Sequence, residues 1–172
     1  TLDHPRVEKL HGDGFDEISI VAALEGADAV ITTLGKTNLR DKRYNLSTAA
    51  HRSVIEGMRA NKIRRLIVIS SIGAAQGIER KGWRRNLYLL LRRKYYRDMF
   101  QMEQEVLASG IDVTVLRAPM LYNGPATGNF RIIETEDYFE GLRISRADLA
   151  NFLVNELSNN LWINRTIAIA DL

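Results

Sequence analysis

The stretch LIVISSIGAAQG, residues 66–77, runs four branched apolar residues into two hydroxyls and then breaks up at glycines. Ser70 and Ser71 stand where a buried strand would deliver its last residues. A hydroxyl in that place can donate to a developing oxyanion or hold a substrate carbonyl. The same pair can instead satisfy the backbone at a strand end. A second concentration is electrostatic. Residues 80–97, RKGWRRNLYLLLRRKYYR, hold eight Lys or Arg and no acid, in a chain of net charge +3. The remaining residues are therefore net acidic. Such a segment suits an anionic partner, either a phosphate-bearing cofactor or substrate, or a nucleic-acid or membrane surface. It equally suits a solvated helix face with its loop. Trp83, Tyr88, Tyr95 and Tyr96 interleave with the cations, as stacking surfaces can. A helical stripe that buries several of them disfavours nucleic acid.

The elements that would position these groups alternate. The 172 residues include no cysteine, so disulfides and thiolate metal sites are excluded, and no metal site is expected. No apolar run approaches the roughly 20 residues of a membrane span, and no secretory pattern opens the chain. A single soluble, cytoplasmic domain is the expectation. Residues 6–13 alternate as a strand and stop at Gly12. Residues 15–27 carry Ile18, Val21, Ala22 and Leu24 at helical spacing, with Gly26 as C-cap. DAVITTLG, 28–35, is a near-continuous apolar run. Helix is predicted for 44–60, strand for 64–71, and a long helix for 85–109. That helix has the stripe Leu87, Leu91, Tyr95, Met99, Met102, Val106. Strand is predicted again for 112–121, broken at Pro119. Residues 125–144 read as irregular, with room for short strands. A helix capped by Ser145, with Asp148 three residues on, covers 145–159, and a last strand 165–171. Near-continuous apolar strands alternating with helices predict an α/β doubly wound parallel sheet, covered on both faces. Ligands of such sheets bind at the carboxyl ends of the strands.

HGD, GADAVITTLG, LIVISS, ASGIDVTVLRAPML and ISRADLANFLVNEL follow one another here in an order and spacing that resembles the atypical short-chain dehydrogenases. The nearest branch is the NAD(P)H-binding group that contains flavin/biliverdin reductase and the NmrA-like proteins. The resemblance runs from about residue 5 to 171. It implies a Rossmann-like fold and NADP or NAD as cofactor. That family opens with a strand and a glycine-rich G-x-x-G-x-x-G loop whose backbone approaches the pyrophosphate. The 172 residues hold no such loop, and HGDGF precedes the wrong helix. The resemblance thus implies a domain that lacks its first β-α(-β) unit, about 35 to 40 residues. In the doubly wound order that strand is central, so the 28–35 strand is left with an open edge. Further chain ahead of Thr1, a sideways move of residues 6–12, or a homodimer would each cover it. The first is the preferred expectation.

The resemblance also assigns roles. Gly12 and Asp13 would meet the adenine amino group, though Gly-Asp-Gly is also a good turn by itself. Leu34 and Gly35 would pass the adenosine ribose and phosphate. Ser70 would lie along the cofactor. Ser71 would face the nicotinamide and polarise the acceptor. The backbone of Arg117, Ala118 and Pro119 would lie against the carboxamide. Tyr95 stands in the place of the superfamily's Tyr-x-x-x-Lys tyrosine, but the Lys position is Met99. Without that charge a phenol stays near its free value of about 10 and is a poor acid or base at neutral pH. Burial in the helix stripe is the competing assignment for Tyr95. No His follows Pro119, so a proton relay of the biliverdin-reductase kind is unsupported. His4, His11 and His51 read as structural or solvent-facing. Two functions stay open: a reductase passing hydride to a small planar acceptor such as a flavin or quinone, and an NmrA-like sensor that binds NAD(P) without turning it over.

Overall fold

The computed structural model describes residues 4–34, 45–75, 90, 92–134 and 143–172. Four strands lie parallel: β1 (Ala29–Thr32), β2 (Arg65–Ser71), β3 (Asp112–Ala118) and β7 (Arg165–Asp171). A fifth, β5 (Phe130–Glu134), runs antiparallel beside β7, giving the order β1-β2-β3-β7-β5. β4 (Met120–Tyr122) and β6 (Arg143–Ser145) form a separate parallel pair. Helices α1 (Glu17–Ala23), α2 (Leu46–Ala60), α3 (Arg93–Leu107) and α4 (Arg146–Asn159) complete the described elements. This is the Rossmann-like, mostly parallel α/β sheet that the alternation predicts.

The two faces of the strands explain the near-continuous apolar runs. Leu66 and Val68 of β2 and Val113 and Val115 of β3 pack on Val54 and Met58 of α2 and on Met102 and Val106 of α3. Ile67, Leu116, Ile167 and Ile169 point the other way, onto Leu149, Phe152 and Leu153 of α4. Alternate residues of one strand thus enter two separate cores. Pro119 ends β3 because it has no N–H for the ladder, and the chain leaves the main sheet to form β4.

Residues 6–13 are not a strand. They run as irregular, exposed backbone, with Val7 and Leu10 open to solvent. A strand persists only where a neighbour takes its N–H and C=O groups, and no described residue pairs with this segment or with the outer edge of β1. The sideways move of residues 6–12 onto β1 does not occur. Helix 15–27 is shorter than its spacing predicts. It starts at an N-cap, Asp16, whose side chain accepts the Ile18 N–H at 3.1 Å. It rests on α2 through Gly57, where a Cβ would meet Ile20 at 3.0 Å and Leu24 at 3.2 Å. Of the predicted long helix, Leu87 and Leu91 lie outside the described residues. Met99, Met102 and Val106 are buried as the stripe requires, and Tyr95 is half-buried.

α2 has no cap of its own. Its N-cap residue, Asn45, is left-handed (φ 68°) and makes no side-chain cap bond. The cap comes from α3. The buried carboxylate of Asp98 accepts the Ser47 N–H at 2.8 Å, the Thr48 N–H at 3.2 Å and the Thr48 hydroxyl at 2.7 Å. Those amides are two of the orphan donors that open every helix. One turn further along α2, His51 is buried between Thr32 Oγ1 at Nε2 and the Ser47 carbonyl at Nδ1, each 2.8 Å away. The carbonyl can only accept, so Nδ1 carries the proton and Nε2 accepts from Thr32. Burial pushes His51 below its ordinary 6.5. The imidazole is therefore neutral in the fold, while the unfolded chain takes up a proton as pH falls through 6.5. Stability is lost below that value and is flat with respect to this group above it. We expect the urea midpoint to fall between about pH 7.5 and about pH 5.5, and His51→Gln to make that fall shallower.

Candidate functional site

β1, β2 and β3 all deliver their carboxyl ends to one side of the sheet, as the parallel ladders require. Register sets the neighbours there: Ser70 lies beside Arg117 and Ser71 beside Ala118. The alternation that splits the core also splits the two serines. Ser70 lies on the α2/α3 face and Ser71 on the opposite one.

Ser70 is inside the protein. Its hydroxyl donates to Glu103 Oε1 at 2.5 Å. The Arg117 guanidinium engages the same carboxylate through Nε at 3.0 Å and Nη2 at 2.5 Å. Glu103 is 0% exposed and Arg117 7%. The Ser70 hydroxyl is thus held in the α3 layer. The Arg117 guanidinium points there too, so only its backbone reaches the strand end. Both follow from position, since residues 66, 68 and 70 of β2 and 113, 115 and 117 of β3 share the α3-facing side. Glu103, at the centre of this network, was not singled out from the sequence. A buried stripe that takes in an acid is the signal that could have found it.

Ser71 is different. It is half-buried, and its Oγ accepts the Gly73 N–H at 3.2 Å, capping a short 3-10 turn, Ile72–Ala74. An oxygen that accepts in this way keeps its own O–H for another partner. The 3-10 turn runs beneath α3, and a Cβ on Gly73 would overlap the Tyr96 ring. Tyr95 sits next to it, with ring centroids 5.3 Å apart at 57°. The structure thus brings Ser71, Ala118, Tyr95 and Tyr96 to one end of the sheet. Tyr96 packs on the turn after the serine. Met99 is buried in the core at 4% exposure, so the missing lysine is replaced by packing.

On the far side, Asp13 takes the Phe15 N–H on Oδ1 at 3.1 Å, and its carbonyl accepts from Asp16 N and Ser19 Oγ. Gly12 and Asp13 thus form an exposed turn. That turn rests on α2, since a Cβ on Gly14 would meet Ala50 Cβ at 3.5 Å. Leu34 follows β1 and is 36% exposed. Gly35 lies outside the described residues, as does most of the basic stretch, residues 80–89 and 91. Beyond β3, Pro119 is half-buried and Met120 is exposed. The Tyr122 hydroxyl donates to Asp171 Oδ2 at 2.9 Å, which holds that phenol above its ordinary value. Loop 123–129 is pinned by Asp148, which accepts the Thr127 and Gly128 N–H groups and the Ser145 hydroxyl. The Gly128 N–H leads in holding that carboxyl below its usual range.

These residues suit the wall of a dinucleotide crevice. Ser71 and Ala118 are small residues side by side at the strand ends, and the Tyr96 ring packs on the turn that follows Ser71. The 172 residues hold no glycine-rich loop for a pyrophosphate. Among the described residues no His, Cys, Asp or Glu group could hold a metal ion, and no helix is long and apolar enough to cross a membrane.

The chain belongs to the NAD(P)H-binding family, whose sequence profile matches residues 1–160. NADP or NAD is accordingly its cofactor class, as the motifs imply. It is 29% identical over 154 residues to an uncharacterized sugar epimerase, YhfK, of Bacillus subtilis, covering 88% of this chain and 67% of that protein. Among solved structures, a short-chain dehydrogenase/reductase from Veillonella parvula in complex with NADP superposes with a TM-score of 0.80 at 20% identity. The match spans 98% of this chain and 74% of that one. ChuY, an anaerobillin reductase from Escherichia coli O157:H7, gives 0.77 at 23% identity, over 93% and 73%. Both confirm the fold.

Two stability measurements test this packing. Arg117→Met should cost about 3–5 kcal/mol in urea unfolding, because Glu103 is left buried without its cation. The Glu103→Met/Arg117→Met double variant should lie closer to the parent than either single variant. Gly73→Ala should cost about 1–3 kcal/mol by overpacking the Tyr96 ring, and most of that should return when Tyr96 is replaced by Leu.

Proposed function

We propose that this chain is an NAD(P)H-dependent reductase acting on a small planar acceptor of the flavin or quinone type. The observation that supports the reading best is Ser71. It stands at the carboxyl end of β2, half-buried, with its oxygen accepting from Gly73 and, among the described residues, its proton left to donate. Bound NAD(P)H would supply the hydride. The Ser71 hydroxyl would hold the acceptor carbonyl as negative charge develops on it. The backbone of Arg117, Ala118 and Pro119 would position the nicotinamide end, while Gly12, Asp13, Leu34 and Gly35 would border the adenosine end. Tyr95 and Tyr96 would form an aromatic wall that keeps water from the reacting face. Neither phenol has a lysine one turn on, since Met99 and Phe100 take those places. The acceptor must therefore take its proton from solvent, which suits flavins and quinones better than carbonyls that give alcohols.

The same substitution favours a second reading, an NmrA-like sensor that binds the dinucleotide without turnover. In either case we propose a single domain, residues 1–172, whose β1 edge receives the family's glycine-rich strand-loop-helix rather than a second copy of the chain. NADPH fluorescence titrations would compare this chain alone with the chain joined at Thr1 to such a unit. The longer form should bind much more tightly. With flavin or menadione present it should oxidise NADPH, and Ser71→Ala should lower kcat about 10²-fold. Binding without oxidation of NADPH would favour the sensor.

A further inference from the structure

The parallel pair β4–β6 carries an arrangement that the reductase reading does not use. Met120 lies opposite Arg143 in its ladder, and Tyr122 opposite Ser145. The Arg143 guanidinium sits over the Tyr122 ring, 5.0 Å from its centroid. A Cβ on Gly124 would strike that ring, so the ring is boxed on a second side. Arg143 is mostly exposed, and Met120 beside it is 67% exposed. β4 continues directly from Ala118 through Pro119, so this platform adjoins the end of β3, where Ala118 lies beside Ser71 of β2.

Charge gives the platform a preference. Arg146 is the first residue of α4, where the helix dipole already presents its positive end. It reaches Asn123 Oδ1 at 2.9 Å. Two carboxylates lie close by. Asp148 is buried, and Ser145, Thr127 and Gly128 take its oxygens. Asp171 takes the Tyr122 hydroxyl on Oδ2 and forms a long ion pair with Arg143 Nε at 3.8 Å, which leaves the two Nη groups of that guanidinium uncommitted among the described residues. Two exposed guanidiniums thus border the β4–β6 pair, one at Tyr122 and one at Asn123, and the open side chain of Met120 belongs to the same pair. A guanidinium that already rests over an aromatic ring loses less freedom when its N–H fork takes a phosphate or carboxylate.

We infer that the face formed by Met120, Tyr122, Arg143 and Arg146 selects acceptors bearing a negatively charged substituent. Met120 takes the apolar plane, and the two arginines take the phosphate, carboxylate or sulfonate. This rests on the reductase reading and adds the substrate's charge to it.

The test compares pairs that share a ring system and differ in charge: riboflavin with flavin mononucleotide, and menadione with its sulfonate. Binding is read by flavin fluorescence and by tryptophan quenching, and turnover by NADPH oxidation in the chain carrying the glycine-rich unit. The charged member of each pair should bind about tenfold more tightly. Arg143→Ala and Arg146→Ala should each remove most of that preference. Arg64→Ala, before β2 at the other end of the sheet, should change neither. Arg143→Lys should restore part of the preference, since charge remains and the stacked fork is lost. Equal affinity within both pairs would overturn the inference and leave the reductase reading standing, provided NADPH is oxidised. The same holds for a preference that survives both alanine variants. Failure of all four compounds to bind or to be reduced would overturn both.

Discussion

One carboxylate holds the centre of this protein. Glu103 lies at 0% exposure in the layer between α3 and the sheet, where an unpaired charge would be very costly. It is tolerated because Arg117 of β3 and Ser70 of β2 both donate to it. That bond set fixes the rotation of α3 and the mutual level of two strand ends. Ser71 is the next residue after Ser70, and Ala118 the next after Arg117, so the placement of both strand ends is set by the same bonds. Asp98 is five residues earlier on α3 and reaches sideways to the start of α2. The helix that carries Tyr95 and Tyr96 is thereby pinned to the sheet and to α2 through two acids.

A second buried acid works at the opposite end of the sheet. Glu156 of α4 accepts from Arg65 at 2.8 Å, from the Thr114 hydroxyl at 3.1 Å, and from the N–H groups of Leu161 and Trp162. Each face of the sheet is thus joined to its helix by one carboxylate–arginine pair. The pair on the α3 side lies toward the carboxyl ends of the strands, and the pair on the α4 side toward the amino ends. Such pairs add little net stability compared with apolar replacements. What they contribute here is register, which hydrophobic contacts alone specify weakly.

Much of this was legible in the sequence. The strands at 65–71, 112–118 and 165–171 announce themselves because burial on two faces demands unbroken apolar runs. The Ser145 cap and Asp148 mark the start of α4 within a residue. Residues 6–13 misled because alternation describes a strand's side chains and says nothing of whether a neighbour is present to pair with it. The two serines read as a pair in the sequence, yet period two sends them to opposite faces, and the Ser70 hydroxyl is taken up by Glu103. Glu103 and Asp98 were hidden because a charge on a helix stripe looks like surface until its partners, 14 and about 50 residues away in sequence, are brought beside it. Tyr96 was passed over for Tyr95 because a motif fixes spacing but not which of two adjacent rings faces the turn.

The Glu103–Arg117 pairing also constrains how this sequence can drift. Either residue changed alone strands its partner in a place water does not reach, so single steps away from the pair are disfavoured while a joint exchange to apolar side chains is not. Descendants of this chain should therefore divide into lineages that keep both charges and lineages that have neither, with few intermediates between them.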